Sequence, residues 1–272
     1  MTRQELTTAE GRPVDRAPRG RLGRYALWQL RDFAFQRGAA MFAIALALAY
    51  PVIAGNHASH EITTMVGGVV TTRTVALDPV RAAGASLAQV LYPVIILGAL
   101  ISIRGLVSED RRHGYHRFLF AKPVSVTRYY AQAYAVQFAG FLAVVGVLIL
   151  LFALFLRPVA MMPGLFASAA VLFALLGSVG FLLSTVTAAD WFWLLVTVGT
   201  STALSGLYAR GERWLAPLVV LLPPVGELSD VMTALVAPAR TVSMDQLLWV
   251  LGYGALSVAL GLHILRRRAL PA

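Results

Sequence analysis

Glu109 and Asp110 are followed at once by Arg111 and Arg112, and then by Gly114, Arg117 and Lys122. They lie in Arg104 to Arg128, the one long charge-dense stretch between strongly apolar runs. Periodicity predicts a short amphipathic helix around 114–121, with Phe118, Leu119 and Phe120 beside Arg117. Pro123 ends it, because proline lacks an N–H and its ring clashes with the preceding turn. A short helix bounded by Gly and Pro, with apolar and basic residues together, suits docking into a groove on another protein. The same composition also describes an ordinary basic loop that only sets membrane topology.

Other chemistries are excluded. The chain has no cysteine, so it has no disulfide, thiolate metal site or cysteine nucleophile. Its single lysine, Lys122, follows Ala121 and not a glycine, so no P-loop can cradle nucleotide phosphates. Neither His-Glu-x-x-His nor Gly-x-Ser-x-Gly occurs. His57 and His60 stand near Glu61, a spacing that could hold a metal. Histidines in an exposed loop are ordinarily just solvated, and no metal ligand set is assigned. The net charge of +10 does not point to nucleic acid, because the arginines sit at the edges of apolar runs and form no continuous stripe. The carboxylates lie outside the predicted spans or at their edges. Carriers driven by ions or protons place ionisable groups at mid-membrane, so this pattern argues against a self-powered carrier.

The elements that hold the charged stretch follow from composition. The chain has 272 residues, 58% of them hydrophobic and 13% charged. Soluble domains carry nearer a quarter charged residues, so this is an all-α integral membrane protein. The gaps between charges predict six transmembrane helices, near 38–55, 82–103, 129–156, 165–187, 191–209 and 246–265, within a domain spanning 38–265. The fourth is read as starting after a break at Pro163-Gly164. Seventeen of the 23 lysines and arginines fall in residues 1–37, in 104–128 and in Arg266-Arg267-Arg268. By the positive-inside rule those segments, and so both termini, are cytoplasmic.

Residues 1–20 read as a disordered tail, and 266–272 as a short basic one. Residues 21–37 read as an interfacial helix, with Leu22, Ala26, Leu30 and Phe33 on one face and Arg24 and Arg31 opposite. The first span carries Ala39, Ala43 and Ala47 at four-residue spacing, a face that lets another helix approach closely. An Ala-rich composition alone would give the same spacing. Between the first two spans, 62–66 and 69–75 flank Gly67-Gly68 and predict a β-hairpin. Asp190 is read as a helix cap at the tight turn between the fourth and fifth spans. Residues 214–222 and 227–236, divided by Pro223-Pro224, predict a re-entrant helical hairpin before the last span.

The run from Ser108 to Tyr134 resembles the cytoplasmic coupling segment of ABC-2 type exporter permeases. Asp110 and Gly114 match the family's acid-x-x-x-Gly spacing, and Leu119, Pro123, Val124, Ser125 and Tyr129 fall where its pattern expects them. Tyr115 stands where threonine is common, and the basic residue that usually follows the serine closely is displaced to Arg128. The resemblance implies a permease subunit in the bacterial cytoplasmic membrane, moved by a separate P-loop ATPase and paired with a second permease chain. ATP and magnesium would be bound by that ATPase, and no cofactor by this chain. It implies docking through Glu109, Asp110, Arg112, Gly114, Arg117, Phe118, Leu119, Lys122 and Pro123, aided by Arg24 and Arg31 on an interfacial connecting helix. An apolar lining favours a hydrophobic or amphipathic substrate, exported by the tilting of the spans. A secondary carrier or channel, and a non-transporting membrane assembly protein, are the alternative readings.

Overall fold

In hydrocarbon no water is present to pair with backbone N–H and C=O groups, so a long apolar run satisfies them within a helix. The structure, a computed structural model, describes residues 20–55, 61–66, 69–74, 79–112, 125–156, 161–237 and 241–268. The described chain is helical apart from one hairpin.

Helix α1 (Gly20–Phe33) passes through a π turn (Ala34–Gly38) into α2 (Ala39–Gly55) without a break. The dihedrals of Phe33 and Ala39 stay right-handed helical on either side of the turn. The helix expected at 21–37 is therefore continuous with the first span and is not a separate element. Phe33 is buried as expected, whereas Leu27, Trp28, Arg31 and Phe35 are exposed. The side chain of Arg24 lies outside the described residues. Strands β1 (Glu61–Val66) and β2 (Val69–Thr74) pair antiparallel, with Val66 opposite Val69, as the Gly-Gly dipeptide predicts. His57 and His60 fall outside the described residues.

Helix α3 (Pro79–Ile103) contains Pro93 and leads into a turn and the short helix α4 (Ser108–Arg112). The predicted helix at 114–121 lies outside the described residues, and with it Gly114, Arg117, Phe118, Leu119, Lys122 and Pro123. Helix α5 (Val126–Leu156) follows. Next, α6 (Met162–Leu172), a π turn (Phe173–Gly177) and α7 (Ser178–Val186) form one continuous span. Pro163 begins this span and does not break it, because proline at the first helical turn costs no hydrogen bond. Helix α8 (Asp190–Ala209) comes after it. A 3-10 turn (Arg213–Leu215) then opens α9 (Ala216–Leu221), and α10 (Val225–Val236) and α11 (Met244–Arg268) complete the chain.

Among the described residues, five helices are long and apolar enough to cross a membrane. They lie in α3 with its continuation through the turn to Arg112, and in α5, α6–α7, α8 and α11. The number rises to six if the segment 213–221 and α10, bent by 77° at Pro223-Pro224, count as one span. Helix α2, read as the first span, has only 17 residues. At 1.5 Å per residue that is about 25 Å, a little short of a ~30 Å hydrocarbon core.

The centre of the bundle is α6–α7, against which α3, α5, α8, α10 and α11 pack. Leu165, Leu172, Phe173, Leu175 and Phe181 are fully buried there. Phe173 sits at the π turn among Tyr134, Phe138 and Phe141 of α5, with ring centroids 6.0, 5.2 and 4.9 Å away. Backbones meet directly at two places. A Cβ on Gly254 of α11 would lie 2.2 Å from the Ala174 carbonyl oxygen, and one on Gly164 of α6 would lie 2.1 Å from that of Leu235. Close approach at small residues is how helices gain packing energy where lipid removes the usual hydrophobic drive.

The Tyr134 and Ser178 hydroxyls lie 2.8 Å apart, and the Ser178 hydroxyl also donates to the Ala174 carbonyl. Tyr134→Phe therefore leaves Ser178 partnered, and the expected loss is about 1 kcal/mol, read as a small fall in thermal midpoint in detergent.

Outside the core, α8 turns Trp191, Phe192, Trp193, Leu195 and Val196 outward, and α11 does the same with Leu248, Trp249, Leu256 and Leu260. Ala39, Ala43 and Ala47 are also exposed, while Met41 and Ala45 between them are buried. The alanine face is thus unused within the described residues.

Candidate functional site

The charged stretch is tied into the bundle on three sides, and the ties begin at one glycine with a left-handed backbone. Gly105 has φ +75°, a left-handed conformation that a side chain disfavours. This bend turns the chain from α3 into α4 and points the Gly105 N–H at Asp190, the first residue of α8. Asp190 is 4% exposed. Its Oδ2 accepts hydrogen bonds from the Gly105 N–H at 3.0 Å and the Ser108 hydroxyl at 2.9 Å. Its Oδ1 accepts from the Trp191 N–H at 2.8 Å. A buried carboxylate persists when its oxygens are hydrogen-bonded, as they are here. Asp190 was read as a helix cap. It does more, holding the turn after α3 against the start of α8 across more than eighty residues of sequence.

A base makes the reciprocal tie. Arg111 Nη2 donates to the Thr185 carbonyl at 2.5 Å and to the Ser184 carbonyl at 3.4 Å. These carbonyls belong to the last turn of α7, where backbone acceptors lack intrahelical donors and the helix dipole favours a cation. The charged stretch therefore receives an acid from α8 and sends a base to α7.

The third side is the N-terminal helix. Arg37, in the π turn before α2, donates through Nη1 to the Ser102 carbonyl and through Nη2 to the Arg104 carbonyl at 2.9 Å. Burial lowers the Arg37 pKa from its ordinary value, and Glu109 and Asp32 act in the opposite sense. On α5, the Tyr130 hydroxyl donates to Asp110 Oδ2 at 3.3 Å, and Tyr130 is itself buried. Phe33 reaches α5 because Gly140 has no side chain. A Cβ there would come within 2.6 Å of the Phe33 ring.

Of the predicted docking residues within the described chain, Glu109, Asp110 and Arg112 are brought together on α4. Glu109 and Arg112 are exposed, and Asp110 is half-buried. Arg31 is also exposed, on α1. Sequence reasoning named Arg111 only as part of the charged run and did not single out Arg37, Ser108 or Tyr130 as contributors, nor Asp190 as a tie. One signal was present. Asp190 is the single acid between Asp110 and Glu212, and an isolated carboxylate in so apolar a stretch needs partners.

The arrangement joins several helices at one charged turn. Hydrogen bonds link the turn and α4 to the end of α7 and the start of α8, and Arg37 links the π turn at 34–38 to the end of α3. Fold and site together define a multi-pass helical protein of membrane type, with a charged turn clamped to several of its helices. No family model matches the chain, and no curated protein matches it.

Proposed function

We propose that this chain is the permease subunit of an ATP-binding cassette exporter, driven by ATP hydrolysis in a separate P-loop ATPase. It acts in the bacterial cytoplasmic membrane as one of two permease chains and moves a hydrophobic or amphipathic substrate. It crosses the bilayer six times, with α2 as the first span, both termini cytoplasmic, and 214–236 as a re-entrant hairpin. The exposed Ala39, Ala43 and Ala47 face the second permease chain. The observation that carries this reading is the three-sided clamp on the charged turn. A segment that docks a motor must pass its movement into the spans, and Arg37, Arg111 and Asp190 supply the connections. ATP binding closes the ATPase pair, shifts α4, and tilts the spans between two packings.

The test is co-purification of the full chain with a P-loop ATPase, comparing wild type with Asp110→Arg and Gly114→Pro. Both variants are expected to lose most of the bound ATPase and the substrate-stimulated part of ATP hydrolysis. Wild-type retention in both would remove the docking assignment. Transport by the purified chain alone under an ion gradient would replace the motor-driven reading with a secondary carrier.

A further inference from the structure

We infer that the C-terminal end of α11 is a binding site for an anionic phospholipid of the leaflet at that end of the bundle. Arg266 and Arg267 hold the headgroup phosphate, and Leu256 and Leu260 line the path of an acyl chain. The inference needs only that the chain spans a membrane and does not rest on the permease reading.

The position comes from register. A Cβ on Gly254 would meet the Ala174 carbonyl, and one on Gly261 would meet the Phe181 ring and lie 3.5 Å from the Leu182 Cα. Both contacts advance in the same direction, so α11 runs parallel to α6–α7. Counting on from Gly261, Arg266 and Arg267 come level with 187–189, the turn into α8. Trp191 and Trp193 follow that turn directly and are exposed. Exposed tryptophans at the end of a span sit at the headgroup level, so the two arginines lie at the membrane surface and not in its hydrocarbon.

Charge and shape then select the occupant. Arg266 and Arg267 are both exposed, and among the described residues neither has an ion-pair or hydrogen-bond partner. Residues 254–272 contain no acid. Asp190, the single acid in 178–196, is buried and already bonded to Gly105, Ser108 and Trp191. On α4, which reaches the end of α7 through Arg111, Glu109 and Asp110 have partners of their own within the chain. Uncompensated arginines at a membrane surface attract anionic lipid. A phosphatidylcholine headgroup would bring its own cation to the pair, whereas a phosphatidylglycerol headgroup brings only the phosphate. Deeper along α11 the exposed residues form one stripe. Leu256, Leu260, His263 and Arg267 fall at three- and four-residue spacing on a single face, and all are exposed. From Leu256 to Arg267 is roughly 16 Å along the helix, about one leaflet of a ~30 Å core. A soluble anion would use the arginines and leave the leucines uncovered. An amphiphile with a negative head and a long apolar tail covers both.

The experiment strips lipid from the full chain in neutral detergent and adds back dioleoyl phosphatidylglycerol or dioleoyl phosphatidylcholine. Bound lipid is counted by native mass spectrometry at two salt concentrations. The wild type is expected to hold phosphatidylglycerol roughly tenfold more tightly than phosphatidylcholine, with the margin shrinking at high salt. Arg266→Gln with Arg267→Gln is expected to remove that preference and to leave the lipid-free thermal midpoint unchanged, because both side chains are exposed. The same pair changed to lysine is expected to keep most of the preference. Arg210→Gln with Arg213→Gln, at the far end of α8, is expected to keep all of it. Equal retention of the two lipids by the wild type, or an equal loss in the Arg210 and Arg213 control, would overturn the site. A fall in the lipid-free midpoint of the Arg266 and Arg267 glutamine pair would overturn it too, because the guanidiniums would then be serving acceptors of this chain. Glycerol 1-phosphate competing as well as the lipid would replace it with a plain phosphate site, and an acidic peptide doing so would hand the arginines to a protein partner.

Discussion

Replacing Asp190 with alanine is expected to cost the fold about 3 kcal/mol. Two donors, the Gly105 N–H and the Ser108 hydroxyl, would lose a charged acceptor while staying buried. Hydrogen bonds to charged groups contribute about 1.5–3 kcal/mol each, and donors left unpaired add to the loss. Asp190→Asn keeps one acceptor oxygen and is expected to lose less, although its amide N–H would face the Gly105 N–H in one of its two orientations. Asp230→Ala, on an exposed surface of α10, is the control and is expected to stay within about 0.5 kcal/mol of wild type. Thermal unfolding in detergent compares the three. On the proposed permease reading, Asp190→Asn at a temperature where it stays folded is expected to uncouple the partner ATPase's hydrolysis from substrate. A stability loss in Asp190→Ala no larger than that of the Asp230 control would show that the carboxylate holds nothing.

The second large effect separates two glycines of one helix. Gly254→Ala puts a methyl 2.2 Å from the Ala174 carbonyl oxygen, a backbone atom that cannot swing aside. Helix α11 would have to move off the π turn of the central span, at an expected cost of about 2–3 kcal/mol. Gly252→Ala, two residues away, meets nothing within 4 Å. It is expected to be neutral or stabilising by up to about 1 kcal/mol, since alanine is the better helix former. Equal thermal midpoints for the two variants would contradict the close packing of α11 on the central span.

The spans were legible because lipid imposes a simple demand: a run of about twenty residues without charge must be a helix. The hairpin was legible because Gly67-Gly68 sits between runs rich in Thr and Val. The break before α10 was legible because Pro223-Pro224 cannot continue a helix. What escaped was of two kinds. The clamp is built from contacts between residues more than sixty positions apart, and several of its acceptors are backbone carbonyls. No local period or spacing marks a carbonyl as the partner of a distant arginine. The π turns at 34–38 and 173–177 escaped as well. Each admits an extra residue into an otherwise regular helix, and no single residue type signals that. The N-terminal helix looked like a separate element because Arg37 interrupts the apolar run just before Gly38.

Residues 20–55 form one unbroken helical rod, roughly 50 Å long at 1.5 Å per residue. A shaft without a joint conveys torque as well as thrust. If a partner ATPase drives this chain as proposed, a turn applied at Gly20 would arrive at Gly55, the end of the helix that precedes the β-hairpin in sequence. Spin labels near the two ends should then reorient together during turnover, and the hairpin would act as the visible hand of a dial driven from the opposite face of the membrane.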